Sequence, residues 1–293
     1  MTMSATNNGF AVEIKNLVKD FRVGIRGVKL RAVDNLTLRV PENCIYGLIG
    51  PNGSGKSTTL KILLGLTTPT SGECSLYGHA AGSMAARALS GYLPEAPYFY
   101  RHLSGRELVH FYARISLVPP SEIEERVDNV LAIVGLAAAA SRRTGTYSKG
   151  MLQRLGLAQA LVHDPKLVIL DEPTAGVDPV GSADFGKILM EMKQRGKTVI
   201  ICSHLLGQME ELCDRVAMLD KGRLVIEGTI DAVLSRPGRR TLTVEGLDDE
   251  AIAAVEAVLA RHGARIESIG SPRESLEKLF LEKTAASQPP EQA

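Results

Sequence analysis

The segment Gly50-Pro51-Asn52-Gly53-Ser54-Gly55-Lys56-Ser57-Thr58 limits this chain to folds that present a glycine loop between a buried strand and a helix. It satisfies the phosphate-loop pattern G-x-x-x-x-G-K-[ST], and the run Cys44–Ile49 before it is apolar, as a buried strand requires. Glycines let the backbone wrap closely around phosphate oxygens with successive N–H groups pointing inward. A helix starting near Lys56 adds the positive end of its dipole at the same spot. In that arrangement Lys56 reaches the β- and γ-phosphates and Ser57 offers a hydroxyl to Mg²⁺, so the segment points to a nucleoside triphosphate.

Around this loop the hydrophobic pattern is that of an α/β protein. Cys44–Ile49, Leu167–Leu170 and Thr198–Ser203 are short apolar runs expected as strands buried on both faces of a mostly parallel sheet. Helices are expected from Lys56 to Gly65, from Ser121 (with Glu124 completing a capping box) to about Val134, over Met151–His163 and over Ser182–Gln194. Leu36, Leu38 and Val40 alternate with polar residues, and Asp220-Lys221-Gly222-Arg223 joins two short apolar runs as a hairpin turn, so an additional antiparallel sheet is expected. Composition changes near Ser235-Arg236-Pro237-Gly238. Residues 1–236 are therefore expected as the main domain, 239–283 as a small βαβα extension, and 284–293 as a disordered tail.

Composition narrows the class. A chain of 293 residues, 44% hydrophobic and 23% charged with net charge +1, has neither the basic surplus expected of a nucleic-acid binder nor an acidic tail. The first residues lack the apolar stretch of a signal peptide, and no run approaches the ~20 apolar residues of a membrane span. Cys44, Cys74, Cys202 and Cys213 show no metal-type pairing and are expected as inert thiols in a reducing compartment. The basic residues among 22–31 suit either a lipid or membrane partner or, more simply, a solvated hairpin.

A second chemical site follows from Leu167-Val168-Ile169-Leu170-Asp171-Glu172, four apolar residues and two acids. Asp171 at the carboxyl end of a buried strand can hold the Mg²⁺ water shell beside Ser57, and Glu172 can accept a proton from an attacking water.

Further segments, in order, resemble the ATPase subunits of the ATP-binding cassette (ABC) family over roughly residues 10–235. Tyr147-Ser148-Lys149-Gly150-Met151 is similar to the family signature, Asp171-Glu172-Pro173-Thr174 to the extended Walker B, and Ala175-Gly176-Val177-Asp178 to the D-loop. His204 matches the switch histidine, Glu95 the Q-loop position, and Phe21 the aromatic that stacks on adenine. The resemblance implies ATP and Mg²⁺ as ligands and a head-to-tail pair of subunits, as homodimer or heterodimer. In that pair each ATP touches the phosphate loop (Gly50 to Thr58) of one subunit and Ser148, Lys149 and Gly150 of the other. It also implies Glu172 as general base, His204 on the γ-phosphate, and Ser57, Asp171 and Glu95 on the metal. The helical subdomain is expected at about 95–165, its aromatic start (Tyr98, Phe99, Tyr100, Phe111, Tyr112) receiving a separate transmembrane permease. The protein is then expected in the cytoplasm, peripheral on the inner face of the cell membrane.

Two departures stand out. The signature is usually Leu-Ser-Gly-Gly-Gln, so Tyr147, Lys149 and Met151 differ, and Glu95 replaces a usual glutamine. A single cassette, with no long insertion or CxxC between Lys56 and Asp171, argues against a soluble ABC ATPase working on nucleic acid or ribosomes. No nucleic-acid partner is expected. The Gly91–Glu95 segment, the Tyr-Ser-Lys-Gly-Met signature and the short C-terminal extension resemble exporter-type bacterial cassettes, with an importer subunit as the alternative.

Overall fold

The structure is a computed structural model that describes residues 9–24, 28–235, 244, 246 and 248–266. The chain divides into two compact units, Met1–Leu234 and Ser235–Ala293.

In the first unit, β3 (Ile45–Ile49), β7 (Leu167–Asp171) and β8 (Thr198–Ser203) are buried at every residue. They sit inside a six-stranded sheet ordered β10-β9-β3-β8-β7-β6, completed by β6 (Ser90–Leu93), β9 (Arg215–Asp220) and β10 (Arg223–Thr229). All neighbours are parallel except β10, which returns antiparallel on β9. The expected hairpin at Asp220–Arg223 therefore extends the main sheet instead of belonging to the second one. That second sheet is antiparallel, ordered β2-β1-β4-β5, from β1 (Phe10–Val23), β2 (Val28–Pro41), β4 (Ser71–Leu76) and β5 (His79–Ala80). Its long strands slip register near Asn16 and Asn35, both left-handed, which asparagine tolerates better than most residues.

The period of two along each central strand divides the interior into two cores. Tyr46, Leu48, Ile169, Ile200 and Cys202 pack with the antiparallel sheet and with α1 (Lys56–Leu63). Ile45, Ile49, Val168, Leu170, Val199 and Ile201 pack on the opposite face. That face is covered by residues of α3 (Gly105–Ile115), α4 (Ile123–Ile133), α5 (Lys149–Leu161), α6 (Pro179–Gln194) and α7 (Leu206–Leu212). The short α2 (Met84–Ala88) precedes β6, and α8 (Ile230–Leu234) follows β10.

Helix starts correct the sequence reading in three places. Ser121 does not cap: Pro120–Glu122 forms a 3-10 turn, and α4 starts at Ile123 without a side-chain cap. Glu124 instead lies 3.3 Å from Arg106 on α3. The capping box belongs to Ser104 and Glu107, where Glu107 accepts from the Ser104 amide at 2.8 Å. Helix α6 begins at Pro179, not Ser182, because Asp178 caps it by accepting from the Gly181 amide at 2.8 Å and proline suits the first helical position. Helix α5 likewise starts at Lys149, behind Ser148 as cap.

Two basic residues of the hairpin are charge-paired: Lys29 and Arg31 bind Asp20, and Arg31 shares Asp34 with Arg223. The four cysteines are free, and burial pushes the Cys44 thiol up to about 11 and Cys213 up to about 12, as expected of unreactive thiols. In the second unit, α9 (Asp249–Arg261) is capped by Asp248, which accepts from the Ala251 amide at 2.8 Å. The rest of the βαβα extension expected over 239–283 and the tail at 284–293 fall wholly or mostly outside the described residues.

Candidate functional site

The phosphate loop is shaped by backbone walls. Gly50 has φ 147, and a Cβ there would stand 2.2 Å from the Leu219 carbonyl oxygen. Gly55, at φ 102, would bring a Cβ to 2.6 Å from the Ala32 carbonyl oxygen. The turn of the β9–β10 hairpin closes the ring: the Gly222 amide donates to the Ser54 carbonyl at 3.0 Å, and the Asp34 amide donates to the Gly222 carbonyl at 2.9 Å. Gly53, also left-handed, has open space where its side chain would be, so the loop is walled on the inside and accessible at its crest. Pro51, Asn52, Gly53 and Ser57 are exposed, Thr58 is half-buried, and Ser54, Gly55 and Lys56 are buried. Lys56 Nζ donates to the Gly50 and Pro51 carbonyls at 2.7 and 3.1 Å, which holds the ammonium over the loop. Ser54 Oγ is buried without a partner among the described residues, a hydroxyl free to meet an anion in the loop.

Next to the loop, Ser57 Oγ donates to Asp171 Oδ1 at 3.4 Å. Asp171 is 7% exposed. Burial pushes its carboxyl above the usual carboxylate range, and the charges of Glu172 and Glu95 push the same way. A hydroxyl and a buried carboxylate, pressed by two further carboxylates, suit a hard, oxygen-seeking cation such as Mg²⁺. Glu95 lies exposed on the loop after β6, and its backbone carbonyl accepts from Gln153 of α5 at 2.9 Å.

Glu172 follows Asp171 in a left-handed conformation, φ 48, unusual for a residue with a side chain. Its amide donates to the Cys202 carbonyl at 2.8 Å, which stitches the turn to the end of β8. The same strand end supplies the carboxylate's partners: Ser203 Oγ donates to Glu172 Oε2 at 3.3 Å, and His204 Nδ1 lies 2.9 Å from that oxygen. His204 is exposed, and its other ring nitrogen has no protein partner among the described residues. The strained turn thus aims Glu172 at the histidine.

Ser148, Lys149 and Gly150 open α5, where Ser148 Oγ accepts from the Met151 amide at 3.2 Å. They meet the Ala175–Asp178 loop of the same chain. The Lys149 ammonium lies over left-handed Gly176, 2.4 Å from where a Cβ would stand, and Val177 faces both Gly150 and Gly181. Ser148, Lys149, Gly176 and Asp178 are exposed, so the two segments present one surface. Phe21 is 38% exposed on β1, opposite exposed Leu30, with Lys19 Nζ 4.9 Å from the ring centroid. Of the aromatics after Glu95, Tyr98, Tyr100 and Phe111 are exposed, whereas Phe99 is buried edge-on to Tyr112. The sequence reading missed the partners Ser203 and Gln208. Both lie within four residues of His204 in sequence, but their contacts cross to Glu172 and Thr174 after β7, and no sequence signal marks that crossing.

Among the described residues, no helix is long and apolar enough to cross a membrane. The family profile described as "ABC transporter" matches residues 33–175. An ABC transporter ATP-binding protein of Nostoc sp. is 38% identical over 83% of this chain and 73% of its own length. YhcH of Bacillus subtilis, another such protein, is 35% identical over 93% of this chain and 95% of its own. The bacitracin transport ATP-binding protein BcrA of Bacillus licheniformis is 36% identical over 86% of this chain and 85% of its own. Among solved structures, a CbiO1 subunit from Clostridium perfringens, part of an ABC transporter complex, has a TM-score of 0.70 at 27% identity, covering 87% of this chain and 98% of that one. A walled phosphate loop, a buried aspartate beside its serine, and relatives that match over most of both lengths lead to one conclusion: the chain belongs to the ATP-binding subunits of the ABC transporters.

Proposed function

We propose that this subunit drives export through a separate membrane permease by pairing with a second ATPase subunit around ATP and separating after hydrolysis. The observation that carries the catalytic reading is the Glu172 carboxylate, held by Ser203 and His204 one residue beyond the buried Asp171. In this reading Gly50, Pro51, Asn52, Gly53, Ser54, Gly55 and Thr58 wrap the phosphates, with backbone N–H groups from all of them but Pro51, which has none, and Lys56 turns from its own loop carbonyls onto the β- and γ-phosphates. Ser57 and Asp171 hold Mg²⁺, with Glu95 on the ion or its water. When bound, the ion neutralises charge on the β- and γ-phosphates. Glu172 takes the proton of the attacking water, and His204 keeps Nδ1 on Glu172 while Nε2 reaches the γ-phosphate. Phe21 stacks on adenine. The exposed Ser148, Lys149 and Asp178 and the half-buried Gly150 complete the site of a second subunit, where the N-terminus of α5 meets the γ-phosphate.

Support for transport comes from the relatives named for it, BcrA among them. Support for a permease comes from Tyr98, Tyr100 and Phe111, apolar surface next to the Glu95 loop. Export in particular rests on the signature sequence and the short C-terminal unit.

The Glu172→Gln variant, purified with ATP from detergent-solubilised membranes of the native host, tests both halves. The expected result is a polytopic membrane protein at near-equal stoichiometry, an ATP-bound dimer, and turnover reduced about 10²- to 10⁴-fold. Wild-type turnover would refute the base, and recovery of soluble partners alone would refute the transport reading.

A further inference from the structure

Two segments frame the Glu172 carboxylate, and one side chain ties them together. The first leaves β7 at Asp171 and runs through Thr174 and the Ala175–Asp178 loop into α6. The second leaves β8 at Ser203 and runs through His204 into α7, where Gln208 lies about one helical turn beyond the histidine. The Gln208 amide oxygen accepts from the Thr174 hydroxyl at 2.8 Å, and its amide nitrogen donates to Ser182 Oγ at 2.9 Å. Thr174 and Ser182 are both buried, and they flank the 175–178 loop on either side.

Glutamine suits this place because one rigid planar amide carries both a donor and an acceptor, so a single side chain can grip two hydroxyls. The loop it brackets is otherwise held mainly within its own stretch: the Ala175 amide donates to the Glu172 carbonyl at 3.2 Å, the Val177 amide to the Thr174 carbonyl at 3.1 Å, and Asp178 accepts from the Gly181 amide at 2.8 Å. Gly176 and Asp178 are exposed, Gly176 is left-handed beneath the Lys149 ammonium, and Val177 packs against Gly150 and Gly181. The Glu172 amide and carboxylate are meanwhile fixed by Cys202, Ser203 and His204. The acid is thus fixed by the end of β8, and the flanks of the loop after it are joined to the same segment through Gln208.

We propose that Gln208 is a positioning residue that locks the 175–178 loop to the segment bearing His204, so that this exposed loop and the Glu172 carboxylate are set as one body. The proposal rests on the reading of Glu172 as the base. A displacement of His204 is carried through Gln208 to the loop, and a displaced loop in turn misaligns the acid without altering the phosphate cradle.

The test is steady-state Mg-ATP hydrolysis by the full chain carrying Gln208→Leu, Gln208→Glu, Thr174→Val, or Gln208→Leu with Thr174→Val. Glu172→Gln is measured alongside, and a thermal unfolding midpoint is taken for each variant. Gln208→Leu is expected to lower kcat about tenfold with KM for ATP within about twofold of wild type, the signature of lost positioning instead of lost binding. A carboxylate of the same reach can accept from both hydroxyls, so Gln208→Glu should recover most of kcat. The double variant should be no slower than Gln208→Leu alone, because the two residues act through one contact. Wild-type kcat in Gln208→Leu overturns the proposal. So does a parallel collapse of kcat, KM and unfolding midpoint without recovery in Gln208→Glu, which would mark a merely structural residue. Turnover surviving in Glu172→Gln would instead refute the base assignment, an outcome distinct from either.

Discussion

The phosphate loop and the Ser148–Gly150 surface are both helix N-termini, yet they are built in opposite ways. The first is enclosed by backbone: the Leu219 and Ala32 carbonyls stand where side chains at Gly50 and Gly55 would be, and Gly222 bonds back to Ser54. The second is exposed and shaped by side chains, with Ser148 capping α5 and Lys149 lying across Gly176. A cradle set by backbone is preorganised for its anion, because the donors do not have to be collected when the ligand arrives. A surface set by exposed side chains remains adjustable until something covers it. One region is thus fixed in advance, and the other is left open, as the proposed pairing with a second subunit requires.

The sharpest way to break this contrast is Gly50→Ala. Its Cβ would collide with the Leu219 oxygen at 2.2 Å in a backbone conformation disfavoured for alanine, and backbone cannot retreat as a flexible side chain can. ATP affinity measured by equilibrium binding should fall about 100-fold or more, roughly 3 kcal/mol. Retained affinity would show that the cradle adapts.

Ser148→Ala sharpens the other side. Removing the cap costs about 1 kcal/mol of helix stability and exposes the Met151 amide. Turnover should fall about tenfold while ATP binding to the isolated subunit stays within about twofold, since the phosphate loop makes no use of Ser148. Equal losses in both would mean that the two regions are not separable.

The smallest effect concerns Asp171, the buried acid between the two regions. Burial and the neighbouring carboxylates raise its pKa, so the folded state holds this proton to higher pH than the unfolded chain does. The sign follows: below the ordinary carboxylate range both states are protonated and no penalty exists. As pH rises through the raised pKa, the folded state must ionise a buried group and stability falls. Asp171→Asn should therefore raise the unfolding midpoint of the nucleotide-free protein at neutral pH by about 2–4 °C and leave it nearly unchanged at pH 3, while removing Mg²⁺-dependent turnover. A lower midpoint at neutral pH would show that Asp171 stabilises the fold through Ser57.

Much of the fold was legible because its central strands are buried on both faces: Cys44–Ile49, Leu167–Leu170 and Thr198–Ser203 carry uninterrupted apolar runs that surface strands rarely do. The phosphate loop was legible because its chemistry demands a fixed spacing. Helix starts were less so. Ser121 and Glu124 have the spacing of a capping box, but Pro119 and Pro120 bend the chain into a 3-10 turn first, whereas Asp178 before Pro179 was the better start signal. The Glu172–His204 contact and the Gln208 bridge could not be read at all, because adjacency of β7 and β8 brings those residues together and adjacency is a tertiary fact.

The walls around Gly50 and Gly55 also bear on how such a protein diverges. Because Leu219 and Ala32 present main-chain oxygens, the loop meets their backbone and not their side chains, and what constrains the buried Leu219 side chain is the core it packs in. The burden of constancy falls on the two residues that have no side chain to vary. A recognisable string of letters at 50–58 is thus the imprint of a wall that acts through main-chain atoms and leaves no matching string of its own.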